Sequence, residues 1–358
     1  MTEKQYRDLD IDSYSSIKVF IEDRKKYYKK FILKEPIKEE SSDSLIFGNL
    51  VDCLLFTPEE YDNRFTLSTS QIPTGQYGKF VEELMRVTIQ SVDDNGVVTR
   101  GLEDMMEEAY KNVKFDRNGN IVDFKRDSFD TVKSKFLGSD LEVHYRQMRE
   151  SFGKQVIEKS MLENAQNVVN ELKSNFVTKE VINIENSDKH TVYNQYPIVG
   201  QLEGTVTGSL PFPAKCLVDK LVIDHEQKSI HIFDLKTAWD NENEFEMNYF
   251  KYKYYIQAAV YFYLVVEWKK KIKEIADYSV NYPKFIVAES SNYKNPLIYT
   301  TDGNHFQQGM RGFMIRNRYH SGVLKAVREI MWHKENGIWN ISKENYEKKG
   351  LVKIKYFE

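Results

Sequence analysis

The chain has 358 residues, of which 41% are hydrophobic and 29% charged, and its formal net charge is −3. This composition is ordinary for a soluble globular protein with one large domain or two smaller ones, and the scarcity of proline argues against a linker-rich chain. The slightly acidic balance counts mildly against a nucleic-acid binder but does not exclude one, because an acidic metal site can lie in a locally basic channel.

The cysteines and the apolar runs indicate in which cellular compartment the protein is expected. Cys53 and Cys216 form neither a zinc pattern nor a disulfide framework, which favours a reducing setting. The first residues lack a signal-peptide core, and the longest apolar run, 256–266, is shorter than the roughly 18 residues of a membrane span. We therefore expect a cytoplasmic protein, in the host cytoplasm if it is encoded by a phage.

A first helix is predicted over residues 17–33. Serines precede it as candidate caps, and apolar residues recur at helical spacing. Lys25, Lys26, Lys29 and Lys30 cluster on its polar side. Such a cluster is usually a solvated face, but near a metal cleft it could contact DNA phosphate.

Later segments alternate between helical and extended character. The patterns predict a helix at 45–56 stopped by Thr57-Pro58, mostly helix over 67–175, strands within 177–236, a helix at 248–271, strands within 276–288 and a helix at 306–334. This order predicts an α/β core with a long helical insertion or lid before it, at about 65–175, within a single domain.

The most informative segment is a predicted hairpin within 215–236. Asp219 lies on its first strand, and Asp234 and Lys236 lie on its second strand, two residues apart and therefore on one face. The hairpin brings Asp219 next to them. Two carboxylates and an ammonium are the minimum for binding a divalent cation and activating water against a phosphodiester.

Each of these residues also has a plainer interpretation. Asp219 could form a buried salt bridge with Lys215 or Lys236, and a mid-strand carboxylate needs some such partner. The conjunction with the next helix favours a site. Gln257 and Tyr261 are four residues apart there, hence on one helix face.

Together these residues resemble the PD-(D/E)xK nuclease superfamily. Asp219 matches the first acid, although Val218 stands where proline is frequent, and Asp234-Leu-Lys236 matches the second element with Asp in place of the commoner Glu. The Gln257-x-x-x-Tyr261 helix is similar to that of the RecB-like branch. The greatest likeness is to RecE or exonuclease VIII-like phage exonucleases, which also carry a basic residue shortly before the first acid, here Lys215.

The resemblance extends to the early helix and to the strand before Asp219. Phe47-Gly48 opens the early motif, in which Asp52 stands where the family usually has His, and an Asp can still bind Mg²⁺ or Mn²⁺. Many members have an additional acid on the strand before the first Asp, for which Glu203 and Gln201 are the candidates. The likeness covers roughly 13–58 and 201–266, with a looser match near the C-terminus, whereas about 65–195 shows no recognisable resemblance.

The resemblance implies a restriction-endonuclease-like core, a central mixed sheet flanked by helices, with a helical N-terminal or inserted region. It implies a Mg²⁺-dependent (Mn²⁺ possible) exodeoxyribonuclease that degrades linear double-stranded DNA ends from 5′ to 3′ in phage recombination or repair. The implied catalytic residues are Asp219, Asp234, Lys236, Gln257 and Tyr261; the implied metal ligands are Asp219, Asp234, Asp52 and Glu203; the candidate DNA contacts are Lys215, Lys25, Lys26 and Lys29.

Several alternatives and partners accompany this interpretation. A RecB-like single-strand exonuclease or a structure-specific endonuclease would use the same residues. A nuclease-fold DNA-binding protein without activity is a different class, against which the intact Asp219, Asp234 and Lys236 argue. Relatives of the leading type form homo-oligomers and work with a single-strand annealing protein, and no membrane partner is expected.

Overall fold

The computed structural model describes residues 3–35, 42–93, 97–116, 119–151, 153–202, 211–239, 241–290 (without the side chains of 241–243), 295–315 and 318–352. The chain divides into two compact units. The larger consists of residues 1–57 and 167–358, and the smaller of residues 58–166. None of the described helices is long and apolar enough to cross a membrane.

The larger unit begins with short elements. They are α1 (Glu3–Asp8), β1 (Asp12–Ser13), α2 (Tyr14–Glu22), α3 (Arg24–Tyr27), a π-helical turn (Tyr28–Ile32) and α4 (Asp43–Phe56). The single helix predicted over 17–33 is wrong in one respect: it is divided at Asp23. The backbone of Asp23 is extended, and its carboxylate caps α3 by accepting hydrogen bonds from two backbone N–H groups of that helix. The prediction of a helix stopped by Thr57-Pro58 is confirmed by α4.

The smaller unit is mostly helical. Its elements are a 3₁₀ turn (Pro58–Glu60), α5 (Tyr61–Arg64), β2 (Phe65–Leu67), α6 (Gly75–Gln90), α7 (Leu102–Lys114), α8 (Phe129–Phe136), α9 (Asp140–Glu150), β3 (Gln155–Ile157) and the start of α10 (Lys159–Ser174). Phe80, Leu84, Met105 and Phe136 are buried in a core of its own. The predicted helical character of this region is confirmed, and its role as an insertion into a nuclease domain stays a prediction.

The remaining elements complete the larger unit. They are α11 (Lys179–Ile182), β4 (His190–Leu202), β5 (Phe212–Asp224), β6 (Ser229–Ala238), α12 (Asn241–Lys251), α13 (Tyr254–Lys269), a 3₁₀ turn (Lys273–Ile275), β7 (Ser279–Val280), β8 (Lys284–Glu289), β9 (Leu297–Thr300), α14 (Gly303–Arg311), β10 (Phe313–Ile315), β11 (Arg318–His320), α15 (Val323–Asn336) and α16 (Lys343–Glu347).

Two long helices predicted here are divided. The helix predicted at 248–271 breaks at Lys253, which has a left-handed backbone (φ 59°). The helix predicted at 306–334 is interrupted by the β10–β11 hairpin. Glycines at both ends of this hairpin explain the interruption: Gly312 has φ 82°, and a Cβ on Gly322 would lie 2.3 Å from the backbone nitrogen of Gly312.

A mixed sheet forms the centre of the larger unit. Strand β5 pairs antiparallel with β4 and β6 and parallel with β1, while β6 pairs parallel with β7 and β8, and β8 pairs antiparallel with β9. Helix α13 packs on this sheet with an almost wholly apolar, buried surface, which includes Ile256 and Leu264. Each such side chain contributes about 1.5–3 kcal/mol on burial. The fold is thus mixed α/β, with a central mixed sheet flanked by helices.

Candidate active site

The β5–β6 hairpin brings the two predicted acids together. Lys220 pairs with Phe233 and Leu221 with Ile232, so the same register carried one residue further sets Asp219 opposite Asp234. The backbone N–H of Leu235 donates a hydrogen bond to Asp219 Oδ2 at 2.7 Å. Asp234 is only 2% exposed. Two carboxylates therefore lie side by side in the interior of the larger unit.

Lys236 and Gln257 hold the carboxylate of Asp234 from two sides. The ammonium of Lys236 donates to Asp234 Oδ2 and lies 5.0 Å from the ring centre of Tyr254. The amide Nε2 of Gln257 donates to Asp234 Oδ1 at 2.5 Å. The other amide atom of Gln257, Oε1, is buried and has no hydrogen-bond partner among the described residues.

Tyr261 completes the group of residues predicted to be catalytic. It is 8% exposed and lies one turn after Gln257 in α13. Burial, and then the charges of Asp234 and Asp219, raise its pKa well above the ordinary value, so its phenol stays protonated. The structure therefore places the predicted catalytic residues in one region.

Helix α4 carries Asp52 to the same region. Gly48 lets the helix approach β6 closely, since a Cβ at this position would lie 3.2 Å from Thr237 Oγ1. Asp52 follows one turn later on the same helix face. The Nε2 of Gln195 donates to both carboxylate oxygens of Asp52, at 2.8 and 2.9 Å, and reaches Asp219 Oδ1 at 3.5 Å.

Gln195 is a site residue that the sequence interpretation missed. It lies in β4 between Asn194, which pairs with Lys220, and Tyr196, which pairs with Val218, and the intervening position faces Asp219. Its φ is +47°, in a region that residues other than glycine seldom adopt. Nothing in the residue type signals this conformation, and only pairing β4 against Asp219 would have pointed to it.

Carboxylates are crowded in this region. Asp219 lies beside Asp234 and shares the amide donor of Gln195 with Asp52, while the ammonium of Lys236 donates to Asp234. Burial, and then the charges of Asp234 and Asp52, raise the pKa of Asp219 well above its ordinary value. Burial alone would lower the pKa of Lys236, but its acidic neighbours outweigh this and raise it.

The donor set fits a hard divalent cation. Among the described residues, no three His, Cys, Asp or Glu side chains lie close enough together to hold a metal ion by themselves. Mg²⁺ does not require such a cage, because it keeps several waters and binds proteins through one or two carboxylates. Asp219, Asp234 and the unpartnered Oε1 of Gln257 offer oxygen ligands of the kind it prefers.

Other predicted site residues do not reach this region or lie outside the described residues. Glu203 lies outside them. Gln201 is exposed and pairs with Pro213, well along β4 from Gln195. The ammonium of Lys215 is buried and donates to the carbonyls of Tyr6 and Leu9, at 2.7 and 2.8 Å. We therefore assign Lys215 to anchoring the N-terminal segment, and not to DNA or to a salt bridge with Asp219.

The predicted DNA-contacting lysines have a different setting. Lys25 and Lys26 are exposed on α3, and Lys29 is half-buried in the π-helical turn. Lys18, on α2, lies 5.5 Å from the ring centre of Tyr252. Its pKa is lowered by burial and by other lysines, Lys236 among them. Lysines thus continue outward from the site along α2 and α3.

The comparisons with known proteins are sparse. No family model matches the chain, and no curated protein matches it. A solved structure from Eubacterium rectale, described as a candidate exonuclease, is similar with a TM-score of 0.43 and 13% identity, over 100% of this chain and 96% of that one. At this TM-score and sequence identity, the likeness supports no statement about the chemistry of this chain.

Proposed function

We propose that this protein is a divalent-metal-dependent deoxyribonuclease of the PD-(D/E)xK type, acting as a 5′-to-3′ exonuclease on linear double-stranded DNA ends in recombination or repair. One observation carries the proposal. Two carboxylates, the buried Asp234 and the half-buried Asp219, lie on neighbouring strands beside Lys236 and a buried amide oxygen that has no partner among the described residues. The specific substrate follows from the resemblance of the motifs.

Asp219, Asp234 and Oε1 of Gln257 would hold Mg²⁺ or Mn²⁺, with Asp52 and Glu203 as further candidate ligands. The bound cation would activate water and neutralise the charge that develops on the scissile phosphate. The same carboxylates repel one another without it, which is consistent with the raised pKa of Asp219.

The chain's own groups would orient the phosphodiester. Lys236 is held by Asp234 and by the face of Tyr254. Held in this way, its ammonium is placed to donate to a phosphate oxygen. The phenol of Tyr261 is a second donor close to the carboxylates. Lys18, Lys25, Lys26 and Lys29 would contact the DNA backbone.

A substrate panel tests this function. Purified protein is incubated with end-labelled linear duplex, single strand and closed circular DNA, with Mg²⁺, with Mn²⁺ or with EDTA. Degradation of the linear duplex alone, abolished by EDTA and by Asp234→Asn, is the expected result. Labels placed at either the 5′ or the 3′ end determine the direction of digestion.

The same panel separates the alternatives. Preference for single strands indicates the RecB-like exonuclease, and nicking of circles or cleavage at branched substrates indicates an endonuclease. DNA binding without cleavage in any metal, identical in wild type and Asp234→Asn, indicates a non-catalytic DNA-binding protein and overturns the proposal. Light scattering of the chain alone, and with a single-strand annealing protein, tests the proposed homo-oligomer and partner.

A further inference from the structure

We infer that Gln195 is a positioning residue of this site, whose carboxamide fixes Asp52 relative to Asp219 and so sets the affinity for the cation. The inference rests on the proposed metal-dependent function and deepens it. The bridge is direct: one nitrogen atom, Nε2, lies within 2.9 Å of both carboxylate oxygens of Asp52 and at 3.5 Å from Asp219 Oδ1. Through it, α4 and the central sheet are tied together at the site.

The backbone of Gln195 shows that this position is held against its local preference. A φ of +47° suits glycine or asparagine, and glutamine has no side-chain interaction of its own that favours it. Such conformations persist where the surrounding structure determines them. Regular pairing continues on both sides, at Asn194 and at Tyr196, so the distortion is confined to the residue that faces Asp219.

A carboxamide has the right chemistry for this bridge. Its NH₂ group offers two donors to carboxylates while adding no charge. A lysine or arginine here would cancel the negative charge that attracts a cation, and a glutamate would offer no donor to either Asp. Gln195 therefore holds two acids together while leaving the net charge of the group, and hence its attraction for a divalent ion, unchanged.

Substitutions at this position separate the side chain from the backbone. Gln195→Gly removes the carboxamide but suits the left-handed backbone, whereas Gln195→Ala removes it and keeps the Cβ. Gln201→Ala is the matched control, because Gln201 lies on the same strand and is exposed. The primary measurement is the Mn²⁺ dissociation constant by titration calorimetry without DNA. The thermal midpoint of unfolding serves as the measure of folding.

Both Gln195 variants are expected to weaken Mn²⁺ binding by about 10-fold or more, as loss of a group that orients a ligand does, and Gln201→Ala is expected to leave it unchanged. Gln195→Gly is expected to unfold at a higher temperature than Gln195→Ala. Wild-type affinity in a folded Gln195→Gly protein overturns this inference alone. Absence of Mn²⁺ binding in the wild type, unaltered by Asp234→Asn, overturns the proposed function as well.

Discussion

Two polar clusters of the larger unit differ in how completely their polar groups are paired among the described residues. In the first, the structural cluster, Asp12 accepts hydrogen bonds from Ser16 Oγ and Tyr27 Oη at 2.8 Å each and from Lys334 Nζ at 3.0 Å. In the second, the site cluster, Gln195 bridges Asp52 and Asp219, Lys236 donates to Asp234, and Oε1 of Gln257 has no partner among the described residues.

From this difference we expect the structural cluster to contribute to stability and the site cluster to contribute to the proposed function. One carboxylate with three donors, one of which is an ammonium, is a well-satisfied network, and such networks stabilise a single arrangement of the chain. Crowded carboxylates with an unpartnered amide oxygen reduce stability and are retained where a ligand completes them. We therefore associate the site cluster, and not the structural cluster, with the proposed metal-dependent cleavage.

The largest expected effect comes from removing a charge of the site cluster. Asp234→Asn should lower the rate of DNA cleavage by about 10³-fold or more, since a bound cation is worth several kcal/mol of transition-state stabilisation. The free energy of unfolding should change little, because the lost repulsion with Asp219 offsets the lost ion pair with Lys236. Single-turnover assays and urea denaturation measure the two quantities, with the exposed Asp277→Asn as control. A large loss of unfolding free energy together with the loss of cleavage rate would contradict the proposed difference between the two clusters.

The structural cluster should show the reverse pattern. Asp12→Ala leaves the hydroxyl of the buried Tyr27 without its acceptor, so we expect a loss of about 2–3 kcal/mol of unfolding free energy. Cation affinity should be unchanged. Asp10→Ala is the control, because Asp10 forms an exposed pair with Lys34, and such pairs contribute about 0–1 kcal/mol. Equal effects of the two variants would mean that the network adds no stability.

His333 tests whether an unpartnered buried atom alone marks a site. It is wholly buried among aromatic rings, its Nδ1–H donates to the carbonyl of Ile338, and its Nε2 has no described partner. Burial lowers its pKa in the folded state. The unfolded chain then binds a proton that the folded chain does not, so stability should fall as the pH drops below about 6.5, by at most about 1.4 kcal/mol per unit.

Replacement of His333 by Phe should flatten this dependence in denaturation measured between pH 5 and 7 and should leave cation affinity unchanged. Gln257 donates to a carboxylate, whereas the contacts described for His333 are with aromatic rings and a backbone carbonyl, so its unpartnered atom is expected to affect stability alone. An altered Mn²⁺ affinity in the variant would contradict the expectation that His333 affects stability and not cation binding.

The smallest effects are expected at the lysines outside both clusters. Lys25→Ala and Lys26→Ala together should reduce the slope of log affinity for DNA against log salt by about one unit for each lysine. Fluorescence anisotropy in EDTA measures binding without cleavage. Lys34→Ala serves as the control, because that lysine is paired with Asp10. An unchanged slope would remove α3 from the proposed DNA path.

The sequence was sufficient for the part of the site that depends on local spacing. Alternation along β6 puts Asp234 and Lys236 on one face, the hairpin adds Asp219, and helical spacing joins Gln257 to Tyr261. Gln195 could not be found in this way, because its role depends on which strand β5 pairs with and on a backbone conformation that glutamine does not favour.

Lys215 shows the corresponding limit for the fold. Its distance from Asp219 in the sequence is short, yet its ammonium binds carbonyls of Tyr6 and Leu9 near the start of the chain. The glycines that divide the helix predicted at 306–334 were visible in the sequence, but an isolated glycine does not show whether a helix ends there or continues.

The close approach at Gly48 has a consequence for how the site can change. Because Gly48 has no Cβ, α4 can lie close to Thr237. Asp52 belongs to the same helix, one turn further along. A single added methyl group would require Thr237 or the helix to shift by a few tenths of an ångström, and any shift of the helix would move the Asp52 carboxylate with it. The distance between α4 and β6 at this point thus depends on the glycine at position 48.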